Sequence, residues 1–325
     1  MKRRDFITLL GGAGAWPMAA RAQQKERVRR IGILMPFPNS DVAFQARVRV
    51  FRQELARLGW SEGANVQFDE RWSTDNMDVV RGDATSLVNL NPDVIVIVGD
   101  RVIPVFMALT RSIPIVVAII SDPIAAGAAE SLARPGHNVT GFSLMEFSVF
   151  GKMLEILKLM APGISRVGMI YNPDNPVGAT YWRWFEPSAG QVAVQPINLP
   201  IHDLADIERA IAGMAEEPKG AILSPPDLTA FKYRTQVVTL AAHHRVPAIY
   251  TSPAFGGLVS YGADTSAMMR GAAAYVDRIL RGEKAGELPF QQPTSYRLVL
   301  NLKIARTLGL TVPPSLLATA DEVIE

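Results

Sequence analysis

The residues best placed to do chemistry lie in short polar loops that each follow an apolar run. Ser40 stands in the loop 36–41, Asp100 and Arg101 follow Gly99, and Ser121 and Asp122 follow the run 115–119. Further along, Tyr171 ends an apolar run that leads into Asn172 and Asn175. Asp227 follows Ser224-Pro225-Pro226, Tyr250 leads into Ser252, and Asp264 comes just after Tyr261-Gly262. Carboxylates, amides, hydroxyls and a guanidinium gathered in such loops suit a small ligand of mixed charge. Asp122, Asn175 and Asp227 carry a competing structural reading, because each stands where a helix N-cap would. No catalytic centre is visible: residues 23–325 contain no Gly-x-Ser-x-Gly elbow, no His-Glu-x-x-His, no Walker loop and no strand-linked Gly-x-Gly-x-x-Gly. His243 and His244 are the one histidine pair, and sequence neighbours do not share a helix face, which argues against a metal site. Tyr181, Trp182, Trp184 and Phe185 form an aromatic cluster better suited to packing a helix on its sheet than to stacking on a ligand.

The elements that must position these loops alternate. Apolar runs at 31–35, 94–98, 115–119, 167–171, 221–223 and 248–250 read as strands buried on both faces, while 65–71 alternates polar and apolar residues as an edge strand does. Between them, 44–58, 78–90, 204–215 and 231–243 repeat apolar residues at helical spacing. The fold class is α/β, with parallel sheets flanked by helices. The pattern also occurs twice. Arg30-Ile31-Gly32 and its apolar run is echoed by Arg166-Val167-Gly168, and Ile113-Pro114 before a strand is echoed by Val246-Pro247. Two similar lobes follow, a first at 28–142 and a second at 143–258, with 259–325 expected to run back between them. In open parallel sheets ligands bind beyond the carboxyl ends of the strands, so two such sheets facing one another define a cleft lined by these loops.

A length of 325 residues exceeds the roughly 100–200 typical of one domain, in agreement with two lobes. Hydrophobic residues at 48% and charged residues at 20% describe an ordinary globular chain. The first 22 residues join a basic start, Lys2-Arg3-Arg4, to the apolar stretch 6–20 and the small-x-small site Ala20-Arg21-Ala22. That is the grammar of a cleaved secretory signal, and its apolar stretch is shorter than a spanning helix needs. Arg3-Arg4-Asp5-Phe6-Ile7 further resembles a twin-arginine export motif. Loss of this segment takes the formal charge from +2 to −1, which leaves no basic footprint for nucleic acid. The absence of cysteine excludes disulfides, thiolate metal sites, a Cys nucleophile and a lipid-modified Cys anchor.

Beyond these patterns, the chain resembles the ABC-transporter substrate-binding proteins of the tryptophan-binding type. The resemblance spans the mature chain. It rests on Phe51-Arg52-Gln53-Glu54-Leu55 with Leu58-Gly59-Trp60, Ile113-Pro114-Ile115-Val116, Asp122-Pro123, the run from Leu132 to Gly141, Asn172-Pro173, Tyr261-Gly262, Ala273-Ala274-Tyr275-Val276-Asp277, and the closing Leu308-Gly309-Leu310, Pro313-Pro314 and Ala320-Asp321-Glu322-Val323-Ile324. It implies the type I periplasmic binding fold, solute capture in the periplasm by lobe closure, and delivery by a monomer to a permease of the inner membrane, without a cofactor. In one place the chain departs from the family's pattern: a small hydroxyl-bearing turn after the third strand is replaced by Gly99-Asp100-Arg101. There Arg101 can take a ligand carboxylate in bidentate fashion and Asp100 an ammonium, unless the two pair with neighbours or simply solvate the loop. An amino acid, aromatic as in the better-known relatives or of another kind given the altered turn, or a related carboxylate is the expected ligand. Two alternatives stand beside transport: a ligand-sensing subunit for a membrane receptor using the same fold, and a secreted α/β enzyme, for which no nucleophile motif is present.

Overall fold

The computed structural model describes residues 27–325 except 75, 145 and 147; the export signal expected in residues 1–22 lies outside the described residues. The first sheet is built from β1 (Arg29–Met35), β2 (Val66–Trp72), β3 (Val94–Val98), β4 (Ile115–Ile120) and β5 (Val139–Ser143), wholly parallel and ordered β2-β1-β3-β4-β5. All residues of β3, β4 and β5 are buried, as strands covered on both faces should be. The strand expected from its alternation, β2, indeed forms an edge and is half-buried along most of its length.

A second sheet comprises β6 (Arg166–Tyr171), β7 (Gln195–Pro200), β8 (Gly220–Ser224), β9 (Ala248–Tyr250), β10 (Val259–Ala263), β11 (Tyr296–Asn301) and β12 (Glu322–Ile324), ordered β12-β11-β10-β9-β8-β6-β7. All its pairings are parallel except β10 with β11. Strand β7, with Pro196 and Pro200, gives no strand signal in sequence. It occupies the sheet edge and pairs with β6 alone, so the missing N–H groups interrupt no second ladder.

Helices cover both sheets. In the first lobe α1 (Val42–Arg57) turns Phe44, Val48, Phe51 and Leu55 inward, a stripe at three-to-four-residue spacing in which each buried side chain contributes roughly 1.5–3 kcal/mol. With it lie α2 (Met77–Asn89) and α3 (Ile103–Leu109). The second lobe holds α4 (Val149–Met160), α5 (Gly178–Gln191), α6 (Leu204–Glu216), α7 (Leu228–Lys232) and α8 (Arg234–His243). The single helix expected over 231–243 is thus two. Asp227 caps an earlier start by accepting from the Ala230 N–H, and a break at Tyr233 lets Arg234 fold back with its guanidinium 4.6 Å from the centre of the Phe231 ring.

The chain passes between the lobes three times. After β5 it enters α4, which packs on β9 and β10. After β10 it enters α9 (Thr265–Leu280), which returns to lie against α1, β3, β4 and β5 of the first lobe. The segment 288–291 is stitched to β5, with the Leu288 carbonyl accepting from Thr140 Oγ1 at 2.7 Å and Gln291 bridging Phe142, before the chain goes back into β11. The short helices α10 (Leu302–Thr307) and α11 (Pro314–Thr319) complete the second lobe. Among the described residues no helix is long and apolar enough to cross a membrane.

Candidate functional site

The carboxyl ends of the two sheets meet at a cavity walled by both lobes. Of the residues singled out in sequence, Asp100, Ser121 and Asp227 line it. Asp100 is buried directly after Gly99 and accepts from the Ser121 N–H at 2.8 Å, from Ser121 Oγ at 2.8 Å and from the Asp122 N–H at 3.4 Å. Burial pushes its carboxyl up to about 6, against the opposing pull of those hydrogen bonds. Asp227, equally buried, accepts from the Asn172 N–H at 3.0 Å and the Ala230 N–H at 2.9 Å; burial raises its pKa as well. No cation is paired with either carboxylate among the described residues. Each lobe therefore offers the cavity a preorganised, uncompensated acid.

The other singled-out residues stand around this centre. Asp122 and Asp264 cap local turns and helices: Asp122 accepts from the Ile124 and Ala125 N–H groups, and Asp264 starts α9 by accepting from Ser266 and Ala267. Asn172 supports Asp227 and donates through Nδ2 to Thr229 Oγ1 at 2.9 Å, while the Asn175 side chain bonds both the Val177 N–H and Asp227. Tyr171 is buried at the end of β6, and Tyr250 is buried with its ring stacked on Phe255 at 4.6 Å. Ser40 is exposed ahead of α1. Arg101 lines a neighbouring cavity with Pro36, Thr74 and Lys232 rather than the one lined by Asp100, and Leu228 borders both spaces.

Three contributors escaped the reading of the sequence. Arg47, on α1, is the one cation lining the cavity among the described residues. Its signal was legible in hindsight: it lies on the same helix face as Phe44, Val48 and Phe51, where a charge has no reason to be unless something receives it. Tyr181, on α5, donates its hydroxyl to the Pro226 carbonyl at 2.8 Å, and burial followed by the Asp100 carboxylate raises its pKa. Its ring belongs to the packed cluster, yet its oxygen sits between the acids of the two lobes. Phe231, on α7, meets Phe44 edge-on with ring centres 5.7 Å apart, and so carries an aromatic contact across the cleft.

Two further contacts join the lobes at the cavity rim. Asp41 caps α1 through Oδ1, accepting from Ala43 and Phe44 N–H groups, and through Oδ2 it pairs with Arg234 of α8 at 2.8 Å. Gly99 takes φ +96°, and a Cβ there would come within 2.9 Å of Leu228 Cδ1 from the second lobe. Among the described residues no group of three or more His, Asp or Glu side chains is placed to hold a metal ion. Hydroxyls, acids and a guanidinium around an apolar-walled space can hold and orient a small charged molecule.

Comparison with known proteins agrees with this geometry. A curated tyrosine-binding protein of Clostridioides difficile (strain R20291) is 22% identical over 290 residues, covering 88% of this chain and 82% of the relative. The structure superposes on an ABC domain in complex with L-Trp from Streptococcus pneumonia with a TM-score of 0.85 at 25% identity, covering 91% of this chain and 99% of that one. A conserved domain protein from Vibrio cholerae O1 biovar El Tor matches equally well, with a TM-score of 0.85, 25% identity and coverage of 91% and 100%. The model of the family described as ABC transporter substrate binding protein matches residues 33–324, and the chain belongs to that family.

Proposed function

We propose that this substrate-binding protein captures a free amino acid in the periplasm and presents it to an inner-membrane permease. The observation that carries the reading is the pair Asp100 and Asp227: two buried carboxylates, one from each lobe, lining one cavity without an ion-paired cation among the described residues. An isolated buried anion is costly, and a ligand ammonium landing between the two would offset that cost while tying the lobes together. Closure then couples to ligand through differential contacts, since either lobe alone supplies only one acid. Apolar walls from Ile119, Ile120, Leu144 and Val149 receive the ligand's side chain. Relatives that bind tyrosine or hold L-Trp support an amino acid with an aromatic side chain. Export through a twin-arginine signal cleaved near Ala22, and action as a monomer with both lobe surfaces free for the permease, complete the proposal.

The test is calorimetry and thermal shift on the chain from Gln23, refolded free of co-purified ligand, against the common amino acids and their deaminated analogues. An amino acid at a hundredfold excess over its Kd should stabilise the protein by about 2.7 kcal/mol. The matching acid that lacks the ammonium should give little shift. Equal binding of the deaminated acids would refute the role of the two carboxylates.

A further inference from the structure

Arg47 has no use within the fold that accounts for its position. It projects from the buried face of α1 into the cavity, half-buried, and forms neither a hydrogen bond nor an ion pair among the described residues. The carboxylate nearest to it in charge is Asp41, and that group is already committed to two backbone N–H groups and to Arg234. What holds Arg47 is cation–π contact. Its guanidinium lies 4.4 Å from the centre of the Phe44 ring and 5.4 Å from that of Phe231, one ring from each lobe. Contact with two ring faces and edges uses none of its N–H groups, which leaves the guanidinium fork available to receive a carboxylate in bidentate fashion. Burial and the neighbouring Arg234 draw its pKa down to about 10, still charged at neutral pH, with Asp41 opposing the shift.

We infer that Arg47 is the residue that takes the ligand's carboxylate, making the cavity specific for a molecule with both an ammonium and a carboxylate. This rests on the amino-acid reading above and extends it. Two acids alone would accept any amine; the added cation discriminates an amino acid from its decarboxylated amine. The assignment also moves the carboxylate contact from Arg101, which lines the adjoining cavity, to a side chain that lines the same space as Asp100 and Asp227. Since Phe231 belongs to the second lobe, the guanidinium is fully clamped only when the lobes are together, so the carboxylate contact is completed by closure.

The experiment is calorimetric titration of the wild type and Arg47→Met with L-tyrosine beside tyramine and L-tryptophan beside tryptamine, and with any other amino acid the wild type binds beside its own amine. The wild type should prefer the acid, and Arg47→Met should weaken acid binding by roughly 10- to 100-fold while leaving amine binding within about twofold, so that the preference collapses. Arg47→Lys, which keeps a charge without the fork, should fall between them. If Arg47→Met does not fold, Arg47→Gln reads the same ratio. Equal weakening of acid and amine would show Arg47 to be a cation–π clamp only, and an unchanged acid preference would remove it from the site; either overturns the inference. A wild type that binds no amino acid refutes the amino-acid reading itself, an outcome visible before any variant is made.

Discussion

A buried carboxyl with no ion-paired cation among the described residues titrates late even with three donors around it. Asp100 rises from its ordinary 3.8 to about 6 because burial outweighs its hydrogen bonds to Ser121 and Asp122. Between those values the native protein holds a proton there that the unfolded chain has released, so this group's contribution to stability declines as the pH rises from about 4 to 6. The change amounts to about 3 kcal/mol. Urea unfolding of the wild type and Asp100→Asn from pH 4 to 7 should show the variant gaining on the wild type by up to that amount towards pH 7, and parallel curves would contradict it. Asp227 shifts in the same direction, but it is common to both proteins and cancels in the comparison. Ligand binding has the opposite trend. An ammonium needs the ionised acid, so wild-type affinity should rise with pH through about 6, and the rise should be smaller in Asp100→Asn.

At the scale of elements, the turn between β3 and α3 decides how closely the second lobe can approach. Gly99 holds φ +96° and ψ 146°, a region that essentially only glycine occupies, and a side chain elsewhere in it costs of order 1–3 kcal/mol. Its Cβ would also press on Leu228 at the start of α7. Gly99→Ala should therefore lose stability by about that amount and bind its amino acid more weakly, and adding Leu228→Ala should recover affinity without recovering the backbone term. Calorimetry and urea melts on the two variants separate these effects. If Leu228→Ala restored nothing, the contact between the lobes at this point would not limit closure. The capping residues show a related duality. Asp227 and Asp264 were read as ligand contacts with capping as the competing reading for Asp227; both do cap helices, and only Asp227 also lines the cavity.

For the whole molecule the question is what holds two lobes together across an open space. Three chain crossings, the Phe44–Phe231 contact and the Asp41–Arg234 pair at 2.8 Å do so. Asp41→Asn keeps an oxygen to cap α1 and removes the ion pair, so each lobe should remain folded while the unliganded population shifts towards open forms. Small-angle scattering should then give a larger radius of gyration than the wild type without ligand and the same radius at saturation. Affinity should fall by the fraction of closed-competent molecules that is lost. An unchanged radius together with unchanged affinity would mean that the pair contributes nothing to closure.

How much of this was legible in the sequence follows from the range of the interactions involved. Apolar runs and helical spacing are local properties, so strands such as 94–98 and 248–250, the edge strand at 65–71 and the α/β class could be read directly, and the loops carrying Asp100, Ser121 and Asp227 followed from the rule that sites lie at the carboxyl ends of strands. Strand β7 could not, since its prolines are tolerable only at an edge, and being an edge is a property of the sheet. Nor could Arg47 be picked out. By sequence Arg101 stands in a cleft loop and Arg47 within a helix; that Arg101 lines the adjoining cavity while Arg47 enters the one shared with Asp100, against Phe44 and Phe231 from different lobes, is set by tertiary contacts. The sequence alone determined the order of elements and the loops from which a site could be made. Tertiary structure decided which side chains converge, because burial, pairing and pKa are set by neighbours that the chain brings together only when the lobes meet.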